Sequence, residues 1–201
     1  MRATRQLWVL AGGNGAGKST FYQQFLAPTG LLFINADILA RQLDAQNTED
    51  VSYKAAKLAE KLRMNLLRSG ASFCFETVFS HPSKIDFLAV AKTFGYEIIL
   101  VYIHLQTDGL NQARVAQRVM QGGHNVPTDK IIARIPRTMR YVSDALPLVD
   151  KAKFYDNSSQ NQPFLSVALL NKGQLQKQVE VLPVWAEDML SNYLDVPPVT
   201  P

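Results

Sequence analysis

Short apolar runs alternate along the chain with longer segments whose apolar residues recur at helical spacing. This alternation predicts βαβ units and a mostly parallel, doubly wound α/β sheet with helices on both faces. The predicted strands are 7–11, 31–35, 72–77, 96–105 and 153–156, and the predicted helices are 18–26, 49–69, 83–94, 109–121 and 128–149.

The last quarter of the chain has a different pattern. Two apolar runs, 164–170 and 174–181, flank Asn171-Lys172-Gly173, which predicts a β-hairpin. A final helix is expected over 182–194. We therefore expect one domain over 1–201, with a C-terminal appendage of a hairpin and a helix at about 160–201.

A phosphate-binding loop pattern, G-x-x-x-x-G-K-[ST], directly follows the first predicted strand and opens the first predicted helix. The backbone N–H groups of such a loop cradle phosphates, Lys18 supplies a cation for the β- and γ-phosphates, and the Ser19 hydroxyl is a candidate Mg²⁺ ligand. This context favours a P-loop NTPase or kinase fold that binds a nucleoside triphosphate. The predicted loop residues are Gly12, Gly13, Asn14, Gly15, Ala16, Gly17, Lys18, Ser19 and Thr20.

The composition is that of a globular protein: 47% of the 201 residues are hydrophobic and 19% are charged. The longest purely apolar stretch, 98–103, is too short to cross a bilayer, so no membrane association is expected. The first apolar run enters the phosphate loop at once and lacks the form of a secretory signal, which predicts a cytoplasmic location.

The positive charge behind the net +4 is concentrated in one segment of the chain. Residues 110–140 carry +5, and the rest of the chain sums to −1. A focused cluster suits a polyanionic small molecule at least as well as a nucleic acid, which usually requires a broad basic face. No nucleic-acid partner is therefore expected. The basic residues are Arg114, Arg118, Lys130, Arg134, Arg137 and Arg140.

Two acidic residues fall at the carboxyl ends of predicted strands, where ligands of such sheets bind. Asp37 follows the second strand and is a candidate catalytic base that orients an acceptor hydroxyl; the alternative is that it caps a helix over 38–43. Glu76 and Thr77 end the third strand and are candidate substrate-binding residues. The alternative for Glu76 is hydrogen bonding to a neighbouring backbone.

The arginines fall into two pairs at helical spacing, Arg114 with Arg118 and Arg134 with Arg137. They bracket a glycine-containing loop, 121–127, which predicts a helical lid at about 110–140 that closes onto the triphosphate. Arg114, Arg118 and Arg137 are predicted to bind the nucleotide, and Arg118 and Arg134 to act in catalysis. The alternative is an ordinary solvated face.

Two residues that often carry chemistry are expected to be structural. Cys74 lies in a predicted buried strand and is interpreted as a small packing residue. His104 lies in a long apolar strand and is expected to be a core histidine outside the site.

Together these motifs resemble the zeta-toxin family of P-loop kinases, in particular its small chromosomal branch. The resemblance covers about 7–158. It implies ATP or GTP as donor, Mg²⁺, a base at Asp37 and lid arginines at Arg118 and Arg134. The segments that carry it are Gly12–Thr20, Asn35-Ala36-Asp37, Phe75-Glu76-Thr77, Arg114–Val119, Gly122–Pro127, Arg134 and Tyr155–Ser158.

In the better-known members the acceptor is a hydroxyl of a UDP-N-acetylamino sugar, and an antitoxin protein is the partner. This chain is more compact and lacks the longer substrate-side segments of those members. Two other hypotheses stay open: a metabolite or nucleoside-type kinase without a toxin role, and a nucleotide-dependent regulatory ATPase. A nucleic-acid kinase ranks third.

Overall fold

The computed structural model describes residues 4–44, 47, 50–120 and 126–195. The strands are β1 (Gln6–Ala11), β2 (Leu32–Ile34), β3 (Phe73–Thr77), β4 (Glu97–His104), β5 (Lys151–Asp156), β6 (Leu165–Asn171) and β7 (Gln174–Lys177). The α-helices are α1 (Lys18–Phe21), α2 (Ala36–Leu43), α3 (Ser52–Ser69), α4 (Ser83–Thr93), α5 (Asp108–Met120), α6 (Thr128–Ala145) and α7 (Val184–Leu190). A π-helical turn, Tyr22–Leu26, continues α1, and 3₁₀ turns cover Ala27–Thr29, Leu146–Leu148 and Ser191–Tyr193.

The seven strands form one sheet in the order β2-β3-β1-β4-β5-β6-β7. The first five strands in this order run parallel to one another, and the β5–β6 and β6–β7 pairs are antiparallel. The predicted P-loop α/β fold with a C-terminal hairpin and helix is confirmed. The hairpin turns at Lys172 and Gly173, both with positive φ, as a two-residue loop requires. Strand β7 is shorter than the predicted 174–181.

Helices cover both faces of the sheet because side chains of the central strands alternate in direction. Leu7 and Val9 of β1 pack in a core with α3, α4, α6 and α7. Leu10 points to the opposite face, where it packs with α1. Cys74 is fully buried there as predicted, and burial raises the pKa of its thiol. Among the described helices, none has the length and apolarity needed to cross a membrane.

Strand register brings the functional loops together. Ala11 at the end of β1 lies beside Thr77 of β3 on one side and Tyr102 of β4 on the other. Strand β2 adds to the far side of β3, with Ile34 opposite Phe75. The segments that follow β1, β2 and β3 therefore meet at one edge of the sheet, where ligands of open α/β sheets bind.

His104 lies in the core as expected, with only 7% of its surface exposed. Its ring stacks on Trp185 at 4.4 Å, and its Nδ1 shares a hydrogen bond of 3.1 Å with the Tyr102 hydroxyl. Burial lowers the pKa of this imidazole from 6.5 to about 4, although the Asp156 and Asp108 carboxylates oppose the shift. The folded protein thus holds His104 neutral.

We predict that the free energy of unfolding falls as the pH decreases from about 6.5 to about 4. In this window the unfolded chain binds a proton at His104 that the folded chain does not, so stability rises with pH, by roughly 2–3 kcal/mol over the whole window. Urea unfolding at several pH values measures it. The slope should flatten in His104→Gln and persist in His81→Gln, which changes an exposed imidazole; an identical slope in His104→Gln would contradict the assignment.

Candidate active site

The phosphate loop between β1 and α1 needs glycine at several positions, and Gly12 and Gly17 show why. Gly12 has a φ of 147°, and a Cβ there would lie 2.3 Å from the Ile103 carbonyl oxygen. Gly17 has a φ of 98°, and its Cβ would lie 2.5 Å from the Asn157 amide nitrogen. Side chains are therefore excluded both by conformation and by space. The loop is pressed against β4 and the segment after β5.

Lys18 is buried at the base of this loop, with 5% of its surface exposed. Its Nζ donates hydrogen bonds to the carbonyl oxygens of Gly12 (2.9 Å) and Gly13 (2.8 Å) and lies 3.7 Å from Glu76 Oε1. Burial lowers the pKa of Lys18, while Glu76 and Asp37 oppose this effect. The ammonium group is thus fixed against the phosphate-loop motif, and its contact with nucleotide phosphates stays a prediction.

Glu76, at the end of β3, links the phosphate loop to the segment after β2. Its Oε2 accepts hydrogen bonds from Ser19 Oγ (2.6 Å) and Asn35 Nδ2 (2.7 Å). The hydrogen bonds that hold its carboxylate come from side chains, whereas the alternative interpretation expected a backbone partner. The pairing with Ser19 places Glu76 beside the phosphate-loop motif, and its predicted substrate-binding role stays a prediction.

Ser19 and Glu76 together fit a Mg²⁺ ion. Mg²⁺ prefers oxygen ligands and is usually held by one or two protein groups together with substrate phosphates and water. The described residues contain no group of three or more His, Cys, Asp or Glu side chains that could hold a metal by themselves. The hydroxyl and carboxylate therefore match a metal that is bound together with a nucleotide.

Asp37 lies in the first turn of α2 but does not cap the helix. The cap is Asn35, whose Oδ1 accepts hydrogen bonds from the backbone N–H groups of Asp37 (2.7 Å) and Ile38 (3.2 Å). The capping alternative for Asp37 is therefore wrong. Its carboxylate instead lies 4.0 Å from Arg118 Nη1, and about half of its surface is exposed to the cavity and solvent.

The structure places the predicted arginines in different environments. Arg114, Arg118 and Arg134 line the same cavity as the phosphate loop. Arg137 is exposed, and its Nε donates to the Ala133 carbonyl oxygen of its own helix (3.0 Å). A nucleotide-binding role for Arg137 stays a prediction that this arrangement does not favour. Most of the predicted hinge loop, 121–125, lies outside the described residues.

Thr77 has a structural contact next to the site. Its Oγ1 accepts a hydrogen bond from the backbone N–H of Phe79 (3.0 Å), a buried residue with a φ of 63°. Such a conformation is strained for a bulky residue, and the threonine stabilises it. Thr77 also lines the cavity, so its predicted contact with substrate stays a prediction.

Two asparagines that the sequence did not single out hold the phosphate loop in place. Asn111 of α5 donates from Nδ2 to the Asn14 carbonyl oxygen (2.6 Å). Asn157, which is 6% exposed, donates from Nδ2 to the Ala16 carbonyl oxygen (2.9 Å). Asn157 belongs to one of the segments that carry the family resemblance, and this membership could have identified it as a site residue. Asn111 has no comparable signal.

Lys18, Asp37, Glu76 and Asn157 line one cavity of about 860 Å³ at the carboxyl ends of β1, β2, β3 and β5. One end is bounded by Arg114, Asn157 and Phe164. The other end, on the β2 and β3 side, is bounded by Arg63 of α3 and Lys84 of α4. Ser19 lines it as well.

Comparison with known proteins agrees with this architecture. An AAA domain family model, AAA_33, matches residues 7–140. An uncharacterized protein of Haemophilus influenzae is 30% identical over 132 residues, which cover 62% of this chain and 94% of that protein.

Two of the solved structures with a similar fold illustrate the likeness. One chain of the AvrRxo1-ORF1:-ORF2 crystal structure with ATP superposes with a TM-score of 0.71 at 19% identity, covering 88% of this chain. This chain spans only 61% of that one. A chain from the PezAT chromosomal toxin-antitoxin system of Streptococcus pneumoniae gives a TM-score of 0.65 at 18% identity, covering 94% of this chain and 78% of its own.

These comparisons confirm the resemblance to zeta-toxin-like P-loop kinases at the level of the P-loop domain and its fold. The matched family region holds the phosphate loop, both acidic strand ends and the basic helices, and it covers about two thirds of the chain. The protein is therefore a member of the AAA domain family AAA_33, with a P-loop kinase-type fold.

Proposed function

We propose that this protein is a kinase that transfers the γ-phosphoryl group of ATP or GTP to a hydroxyl of a small molecule. The observation that carries the proposal is the position of Asp37. Its carboxylate lies in the same cavity as Lys18 and Ser19 and 4.0 Å from Arg118, in a helix that Asn35 caps. A carboxylate in this position can accept the proton of an acceptor hydroxyl as that hydroxyl attacks the γ-phosphate.

The residues divide the chemistry between them. The loop amides and Lys18 hold the β- and γ-phosphates, and Ser19 and Glu76 would hold Mg²⁺, which supplies charge neutralisation on the transferred group. Asp37 accepts the proton of the acceptor hydroxyl as its oxygen attacks phosphorus. Arg118 and Arg134 neutralise the negative charge that accumulates in the transition state.

A UDP-N-acetylamino sugar is the first-choice acceptor, supported by the zeta-toxin-like motifs. An antitoxin protein is part of the proposal, since the neighbouring structures come from a toxin-antitoxin system and from a two-component complex. Growth arrest on expression, relieved by Asp37→Asn, would support a toxin role. A metabolite kinase would not arrest growth.

Label transfer tests the activity directly. The purified protein is incubated with Mg²⁺, ATP or GTP labelled in the γ-phosphate, and a panel of UDP-sugars and common metabolites. Asp37→Asn is assayed beside it, and Asp188→Asn, which changes an exposed aspartate of α7, is the matched control. Transfer that is lost only in Asp37→Asn supports the kinase; triphosphate hydrolysis with no labelled acceptor, unchanged by that substitution, supports a regulatory ATPase instead.

A further inference from the structure

Two cationic side chains line the cavity at the end formed by α3 and α4. Arg63 projects from α3, and Lys84 lies in the first turn of α4, directly after the segment that leaves β3. Both are partly buried, and Asp37 and His81 line the cavity with them. Arg63 and Lys84 come from α3 and α4, whereas Asn157 and Phe164 follow β5, and none of the roles assigned above uses either cation.

Arg63 is held rigidly and lacks a complete set of acceptors. Its guanidinium carbon lies 5.1 Å from the centre of the Phe75 ring and 5.4 Å from that of Phe87, so both rings fix its position. Its Nε is buried without a hydrogen-bond partner. A buried donor without an acceptor costs free energy, and a ligand that supplies the acceptor recovers it.

Lys84 adds a second positive charge to the same place. Burial and the neighbouring Arg63 both lower the pKa of its ammonium group, and Glu60 opposes them. Within the described part of the chain, no carboxylate lies within 4.0 Å of either Arg63 or Lys84. Two partly buried cations that face one cavity without such a partner repel each other, so an anion between them is stabilised.

We propose that the phosphate acceptor is itself an anion, and that Arg63 and Lys84 bind its phosphate or diphosphate group. This inference rests on the proposed kinase function, because it assigns the α3 and α4 end of the cavity to the acceptor. The planar guanidinium fork and the compact ammonium group together match the several oxygens of a phosphate ester.

The bound anion positions a hydroxyl of the same molecule beside Asp37. The hydroxyl oxygen forms the new bond to the γ-phosphorus, its proton passes to Asp37, and the bond between the γ-phosphorus and the bridging oxygen breaks to release the nucleoside diphosphate. The acceptor's own phosphate takes no part in the reaction and serves to bind and orient the molecule. A neutral sugar offers no charge to either cation, so we expect it to be a much poorer acceptor.

The anion site is tested apart from catalysis. The donor site is first saturated with Mg²⁺ and a non-hydrolysable ATP analogue, and the analogue concentration needed for saturation is determined for each variant. Inorganic pyrophosphate is then titrated into the protein calorimetrically. We expect a single site whose Kd rises about ten- to hundredfold in Lys84→Gln and in Arg63→Gln, since each loses a charge-assisted hydrogen bond. The matched controls are Lys61→Gln and Arg68→Gln, which change exposed cations of α3 outside the cavity.

A parallel assay compares acceptor pairs that differ only in charge, such as N-acetylglucosamine and its 1-phosphate or UDP derivative. Phosphorylation restricted to the anionic members, and weakened in Lys84→Gln, supports the inference. If pyrophosphate does not bind, or binds equally in all variants, or if the neutral members react equally well, the anion site is wrong while the kinase can stand. Pyrophosphate binding that depends on Lys84, with no transfer to any acceptor, overturns the kinase and keeps the anion site.

Discussion

Replacing Asp37 by asparagine is expected to lower kcat for phosphoryl transfer by about 10²- to 10⁴-fold, the range typical of a lost general base. Asparagine keeps the size and polarity of the side chain in the first turn of α2, and the cap from Asn35 is made to backbone groups that the substitution leaves in place. The loss therefore reflects the proton acceptor and the charge opposite Arg118, which lies 4.0 Å away.

The kcat and the KM values for both substrates, measured beside Asp188→Asn, check this prediction. The effect should fall on kcat, because a base acts on the reacting hydroxyl only as the bond to phosphorus forms. A variant that transfers phosphate at the wild-type rate would show that Asp37 has no part in the chemistry. A rise in the acceptor KM with kcat unchanged would make Asp37 a binding residue.

Substituting Asn157 by aspartate is expected to weaken nucleotide binding about ten- to hundredfold and to lower the free energy of unfolding by about 2 kcal/mol. The Asn157 Nδ2 donates to the Ala16 carbonyl oxygen at 2.9 Å, and its Oδ1 accepts from the backbone N–H of Phe164 at 3.2 Å. Aspartate keeps the acceptor but turns the donor into an oxygen that faces another oxygen. It also adds a negative charge beside the loop that must hold phosphates.

Calorimetric titration with Mg²⁺–ATP and urea unfolding measure the two effects, with Asn65→Asp on the exposed face of α3 as the matched control. Both readouts should change in Asn157→Asp and neither in the control. Wild-type nucleotide affinity in Asn157→Asp would mean that the loop keeps its shape without the Ala16 contact. In that case Asn111, which bonds the Asn14 carbonyl from the other side at 2.6 Å, would be sufficient.

Most secondary structure could be predicted from the chain because its signals are local. The five parallel strands and most helices between them differ from the predicted bounds by a few residues, because the apolar pattern and the helix-ending glycines are local signals. Gly70 and Gly95, for example, follow α3 and α4 with positive φ, as helix-ending glycines do. Helix α2 was expected only in the alternative that had Asp37 cap a helix over 38–43. The helix expected at 18–26 is α1 continued by a π-helical turn, a change of hydrogen-bond pattern that residue spacing does not encode.

The site could be predicted in part. The phosphate loop is a continuous motif, so the sequence by itself places Lys18 and Ser19 together. Asp37 and Glu76 were expected near them because strand ends of a parallel sheet share an edge, and all four residues line one cavity; their roles stay predictions. Their partners could not be found in the same way, and for this reason Glu76 was associated with substrate although its hydrogen bonds lead to Ser19 and Asn35.

The sequence by itself determined the P-loop α/β fold, the position of the phosphate loop and the concentration of positive charge in α5 and α6. Only the tertiary structure decided that Asn35 caps α2, that Asn157 and Asn111 hold the loop, that Arg137 lies outside the cavity, and that Arg63 and Lys84 meet in it. The physical reason is the separation along the chain of the residues that interact. Helix and strand propensities, helix caps and loop motifs depend on residues that are neighbours in sequence. A buried amide that meets a carbonyl 141 residues away, or two cations brought together by packing of α3 and α4, depends on how the chain closes on itself.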